Sequence, residues 1–248
     1  MKFLLALLIT TIFACNSKKV YSEVVQTDKI DPDIILFNIS NGDRTDIANL
    51  LLDIEKCNPL AVGVDVIFPE NKLSVEDSIL ANAFEKIHSD ILAYKFDSTE
   101  KEIRSIDKFR KLGLAEGYTN LYQIDGVTSH FTPIKELNGK LAESFALKII
   151  KQWKPGFKYN FSIDESIPIL FQRSLQQYYY FVSEDLLDKN VCDLLKNKVI
   201  LVGFLGPGDE TKQYTPIRRN DKNIERKPDT YGLVVQANAI RTILEYEK

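Results

Sequence analysis

Asp43, Asp65 and Asp209 each stand at or just past the end of an apolar run, which makes them the first candidates for chemistry. Asp65 lies inside AVGVDVIF, Asp43 follows DIILFNISNG, and Asp209 closes the glycine-rich stretch after KVILVGF. Carboxylate oxygens converging from separate strand ends suit a hard divalent cation. A metal-dependent envelope hydrolase using Asp65 and Asp209, with Asp43 beside them, is therefore one admissible chemistry. Non-covalent binding is another: Arg44 carries a planar fork of donors for a carboxylate or phosphate, and Asp209 can accept from a hydroxyl or amine. For Asp65 a structural role leads, because a lone carboxylate in an apolar string is costly to bury unless loops donate to it or Arg44 pairs with it.

The sequence lacks a recognisable nucleophile or general base. H-E-x-x-H and G-x-S-x-G are absent, and His88 and His130 fall in a helix tail and after a hairpin strand, where packing or surface roles are usual. The spacing from Gly203 to Gly208 imitates a phosphate loop. Its next residues, however, are Asp209 and Glu210 where Lys and Ser or Thr are needed. The balance favours a non-catalytic binding role, with no cofactor and no metal expected.

Charge excludes another class. The chain has 32 Lys and Arg against 35 Asp and Glu, for a net charge of −3. Its basic run Arg218, Arg219, Lys222, Arg226 and Lys227 is broken by Asp221, Glu225 and Asp229. That is a solvated loop, not a phosphate-tracking stripe, and no nucleic-acid partner is expected. The aromatic string from Tyr178 to Phe181 suits ordinary packing in a half-buried strand.

The elements that must position these residues alternate. Ile34–Ile39 and Ala61–Phe68 read as strands apolar on both faces, with a helix through Ile47, Leu50, Leu51 and Ile54 between them, capped by Thr45 or Asp46. A helix over Glu76–Ile87 and a strand over Asp90–Phe96 follow, then a charged surface segment from Asp97 to Leu112. Asp125-Gly126 between β-prone runs signals a hairpin. Leu141–Trp153 reads as a helix, Tyr159–Ile163, Ile167–Phe171 and Tyr178–Val182 as short strands. A short helix from Glu184 capped by Ser183, with Leu187 on its apolar side, comes next, then the strand Val199–Gly203 and a last helix over Leu233–Tyr246. This order predicts an α/β fold, a mostly parallel central sheet flanked by helices with an antiparallel β-hairpin insertion.

At the N-terminus Lys2 precedes an apolar run ending at Ala14-Cys15, too short for a spanning helix, which needs roughly 20 residues. Ile12-Phe13-Ala14-Cys15 resembles a bacterial lipobox, Phe13 standing where a small residue is usual. The expected organisation is a signal peptide over 1–14, a lipidated tether over 15–32 with the lipid on Cys15, and one domain over 33–248. Such a chain is held at the cell envelope, facing the periplasm or exterior, with the membrane as a partner through its lipid. An oxidising envelope permits Cys57 and Cys192 to pair, while the burial habit of cysteine favours two separate thiols.

Five segments in order, DIILFNISNGDRTDIANLL, AVGVDVIFPE, GYTNLYQIDGVTSHFTP, LKNKVILVGFLGPGDETKQYTPI and YGLVVQANAIRTIL, resemble the CHASE type 2 family, the cyclase/histidine kinase-associated sensory extracellular domains. The resemblance runs from Asp33 to Leu244 and rests on Arg44, Asp65, Phe68, Gly117, Asn120, Asp125, Gly126, Gly203, Asp209, Thr215 and Pro216. It implies an extracytoplasmic sensor that engages a small ligand or a membrane signalling protein. Family members usually continue into cytoplasmic output modules, so this chain is expected to carry none of its own. Tyr231 and Gly232, with Pro228 displaced upstream, depart from the family's P-G-V piece. If a small molecule binds, the carboxyl ends of the strands at Ile34, Ala61 and Val199 are the expected seat. Asn41, Asp43, Arg44, Asp65, Phe68, Gly206, Asp209 and Thr215 would then line it, suiting a polar or zwitterionic ligand.

Overall fold

Strands that are apolar on both faces need helices on both sides of their sheet, and the chain supplies them. The computed structural model describes residues 27–88, 90–208, 212–218 and 227–247; the leader, Cys15 and Asp209 lie outside these. In order come β1 (Ile34–Asn38), α1 (Arg44–Lys56), β2 (Ala61–Val64), α2 (Ser74–Lys86), β3 (Asp90–Phe96), β4 (Glu102–Ile103) and α3 (Asp107–Arg110). Next are β5 (Ala115–Tyr118), β6 (Tyr122–Ile124), β7 (Val127–Phe131), β8 (Ile134–Leu137), β9 (Lys140–Glu143) and α4 (Phe145–Trp153). The chain continues through β10 (Ile167–Pro168), β11 (Tyr179–Phe181), α5 (Lys189–Leu195), β12 (Val199–Gly203), β13 (Lys212–Gln213), β14 (Thr230–Tyr231) and α6 (Gly232–Leu244).

The central sheet runs β11-β1-β12-β2-β3, all parallel, with β5 parallel to β3 on its far side; the pair β3–β4 is antiparallel. Side chains alternate along β1: Ile34 and Leu36 face the layer of α4 and α6, while Ile35 and Phe37 face α1, α2, α3 and α5. Both expectations, the mostly parallel α/β sheet and the hairpin insertion, hold. Asp125 and Gly126 take φ of 51° and 73° between antiparallel β6 and β7, as a two-residue hairpin turn requires. Gly117 answers a different demand: a Cβ there would lie 2.5 Å from the Cα of Phe145, so α4 packs against bare backbone.

Several local expectations are corrected. The helix expected from Leu141 starts only at Phe145, after Ser144 accepts from the Leu147 amide at 3.2 Å. Leu141 itself stands 60 % exposed in β9, which pairs with β8 across an Asn138-Gly139 turn. The segment after Asp97 is not all surface, because Phe109 of α3 is fully buried against Phe68 and Phe84. A one-turn helix is not stable alone, and the burial of that ring, about 1.5–3 kcal/mol, holds it in place. Tyr159–Ile163 forms no strand beyond one bridge from Tyr159 to Glu247. Leu187 is 90 % exposed in a 3-10 turn over Ser183–Leu187, and Asp188 caps α5. Asp43, not Thr45 or Asp46, caps α1.

Cys57 and Cys192 form a disulfide, against the expectation of two thiols. Cys57 ends α1 and Cys192 lies in α5, so the bond ties two helices of one layer together. At the amino end of β1, Asp31 is fully buried. Its carboxylate accepts from the amides of Asp33 and Ile34 at 3.0 and 2.9 Å and from the Arg241 guanidinium of α6.

Candidate functional site

The carboxyl ends of β1, β12 and β2 are fastened to one another before any cavity is formed. Asn38 at the end of β1 accepts from the Leu205 amide at 2.8 Å through its side-chain oxygen, and the Ile39 amide donates to Gly203 O at 3.0 Å. The Asp65 amide donates to Val202 O at 2.8 Å. From this seam the chain leaves β1 towards α1 and leaves β2 through Phe68 and Pro69. Between the two departing loops opens a cavity of about 640 Å³.

Its floor is apolar: Ile39, Ile47, Val66, Ile67, Phe68 and Pro69 line it. Its polar lining comes from Asp43, Arg44, Glu70, Lys72 and Glu76. The Asp43 carboxylate accepts from the amides of Thr45 and Asp46 at 2.7 and 3.0 Å, and Asp46 returns a bond to the Asp43 amide at 3.0 Å. This reciprocal cap, typically worth about 1 kcal/mol, fixes the start of α1 at the cavity mouth.

Arg44 lines the cavity with its guanidinium already engaged. It donates to the buried Asp77 carboxylate of α2 and to the Glu70 carbonyl. It also lies over the rings of Phe68 and Phe109, 5.4 and 5.5 Å from their centroids. Asp77 in turn accepts from the Lys72 amide at 3.2 Å. One buried ion pair thus holds α1, α2 and the loop after Phe68 together, and the partner of Arg44 is Asp77, not Asp65.

Asp65 stands beside this cavity, next to Val66, half-buried and without a side-chain hydrogen bond to any described residue. Desolvation pushes its carboxyl from 3.8 up to about 6. Among the described residues neither a loop donor nor Arg44 bonds to it, so the structural role expected of it finds no partner there. Asn41 is exposed, one residue before the lining residue Gly42.

Gly206 and Thr215 fall elsewhere, around a smaller cavity of about 380 Å³ lined by Ser174, Lys212, Asp229, Thr230 and Tyr231. Tyr231 donates through its hydroxyl to Gly206 O at 3.0 Å, and buried Thr215 donates to Asp229 at 2.8 Å. So Asp43, Arg44 and Phe68 converge, Asn41 and Asp65 flank them, and Gly206 and Thr215 stand behind the second cavity, bonded to its lining residues Tyr231 and Asp229. Asp209 is outside the described residues. Among the described residues no three His, Cys, Asp or Glu side chains gather as metal ligands.

Ile39, Ile47, Val66, Ile67, Pro69, Glu70, Lys72 and Glu76 were not among the residues expected from sequence. Most follow directly on the named strand ends, so extending each end by a few residues would have found Pro69, Glu70 and Lys72. Asp77, by contrast, carried no local signal as the partner of Arg44.

The CHASE2 domain family model matches residues 24–248, nearly the whole chain. Comparisons with curated proteins and with solved structures each returned no significant match. No helix among the described residues is long and apolar enough to cross a membrane. The chain belongs to the CHASE2 family, a family of sensory extracellular domains.

Proposed function

We propose that this CHASE2 chain is a non-catalytic, lipid-anchored envelope sensor that receives a small molecule at the carboxyl ends of β1 and β2 and reports it to a membrane signalling protein. The observation that carries the reading is the open cavity of about 640 Å³ where the strand-end rule for parallel sheets expects a ligand. The Cys57–Cys192 disulfide supports an oxidising compartment. Attachment through Cys15 rests on the apolar leader and its lipobox-like end.

Thermal-shift screening against polar and zwitterionic metabolites and divalent ions tests the site. A true ligand at 100 times its Kd should stabilise the fold by about 2.7 kcal/mol, and Val66→Trp, which fills the cavity, should abolish that gain. A ligand that stabilises both proteins equally binds elsewhere and removes the assignment. Globomycin treatment with mass spectrometry of the mature N-terminus tests the anchor, and an unmodified Cys15 in membrane-extracted protein rejects it.

A further inference from the structure

We infer that the cavity at the carboxyl ends of β1 and β2 takes a cationic amphiphile, a primary or substituted amine carrying an aliphatic or aromatic body, and not an anion. This rests on the reading of that cavity as the sensor's ligand seat and names the class of ligand it receives. The floor dictates the body: Ile39, Ile47, Val66, Ile67, Phe68 and Pro69 offer a ligand apolar contact and no side-chain donors or acceptors. Two further apolar residues, Leu73 and Val75, lie in the chain between the lining residues Lys72 and Glu76 and stand 70 % and 66 % exposed. A wholly polar ligand would leave that surface wet.

The charges dictate the head group. Arg44, the guanidinium best suited to an anion, is committed to Asp77 and the Glu70 carbonyl beneath two aromatic rings. Recruiting it would strand the Asp77 carboxylate in a buried site, a large penalty. The cavity then offers three acids, Asp43, Glu70 and Glu76, against one uncommitted base, Lys72. Glu70 and Lys72 are exposed and Glu76 is half-buried, and none of the three makes a side-chain hydrogen bond or ion pair with any described residue, so their charges are open to a ligand. An ammonium entering this lining meets a net negative field, while a carboxylate of the same length meets repulsion.

The test compares n-hexylamine, n-hexanol and hexanoate by titration calorimetry on the full chain at low salt, with n-butylamine and n-octylamine as a length series. Hexylamine should bind roughly tenfold more tightly than hexanoate, as expected of a few exposed charge pairs. Affinity should rise about fourfold per methylene as the chain covers the floor. Exchanging the two unpaired acids, Glu70→Lys with Glu76→Lys, should reverse the order so that hexanoate leads, with hexanol unmoved. Should hexanoate lead in the parent protein while Val66→Trp abolishes its binding, the amine class is wrong and the cavity still stands as the seat. An amine preference that persists in both the exchanged and the filled variants places binding elsewhere and overturns both readings. Absence of saturable binding by every probe overturns the inference as well. Glu70 is exposed, and Glu76 is half-buried with no side-chain partner among the described residues, so the exchanged variant decides the matter even where the tryptophan impairs folding.

Discussion

The two ends of the central sheet are built differently. At the amino end of β1 the charges are buried and matched: Asp31, fully inaccessible, accepts from two backbone amides and from Arg241, with Arg173 at 3.4 Å and Asp33 also bound to Arg241. The disulfide also lies towards that end, because Cys57 sits between α1 and the start of β2. At the carboxyl end the lining acids are mostly exposed, the floor is apolar, and Asp65 has no side-chain partner among the described residues. One end is closed by buried polar groups and the other carries an open cavity. Not every group at the closed end is satisfied: Arg173 Nε and the Tyr178 hydroxyl lack a hydrogen-bond partner among the described residues, and Asp90 is buried at the start of β3 with both carboxylate oxygens unpartnered, where burial, then the Glu55 charge, holds its pKa well above the usual range.

The sharpest way to break this contrast is to open the closed end. Asp31→Ala strands Arg241 in a buried site and should cost about 3–5 kcal/mol in chemical denaturation. Amine binding at the far end should persist in the folded fraction. A loss below about 1 kcal/mol would mean that the cluster behaves as an ordinary surface pair. Next in size is the double replacement of Cys57 and Cys192 by Ser. The bond spans 135 residues of sequence, and its removal should lower stability by about 2–4 kcal/mol, with dithiothreitol reproducing the effect in the parent protein. Melting curves indifferent to both treatments would show that the bond adds nothing to the closed end.

The open end predicts an effect of opposite sign. A carboxyl raised from 3.8 to about 6 in the fold binds its proton more tightly folded than unfolded. Stability is then lost as pH rises through that window and recovered as pH falls back through it. After allowance for its partial exposure, Asp65→Asn should stabilise the protein by about 1–2 kcal/mol above the window and change little near pH 4. Stabilities of parent and variant measured across pH decide it, and a constant difference would rule out the proposed desolvation. The smallest effect expected is from Asp43→Ala, which removes one helix cap at a cost of about 1 kcal/mol by urea unfolding. Equal urea midpoints for the variant and the parent would show that the cap is redundant with Asp46.

Long elements were legible in the sequence because period and burial agree there: β1, β2 and β12 are apolar runs, and Asp125-Gly126 names its own turn. Asn138-Gly139 carried the same signal, but the apolar residues from Leu141 onward suggested helix and masked the β8–β9 hairpin. Leu187 shows the converse failure, since an apolar residue in a short polar turn says nothing of which side faces water. Of the residues to which the strand-end rule points, Asp43, Arg44 and Phe68 line one cavity. The rule could not separate Gly206 and Thr215, which bond to residues lining a second cavity, because two loops leaving one sheet end diverge to opposite faces. Nor could it pair Arg44 with Asp77, a contact 33 residues apart that exists only once α1 and α2 have packed.

Helix α1 joins the open cavity to the disulfide: its first turn, with Asp43 and Arg44, borders the cavity, and its last residue precedes the disulfide-bonded Cys57. Mechanically it is a lever with a welded hinge. Tied at Cys57, the rod would resist sliding along its axis, so a displacement at the cavity end would be read as a swing about that hinge. At 13 residues the arm is about 20 Å long, and a displacement of about 2 Å at its cavity end, against the hold of the Arg44–Asp77 pair, corresponds to a tilt of only about 6°. Reduction of the disulfide would leave the pushing force intact but take away the pivot, turning rotation into slippage.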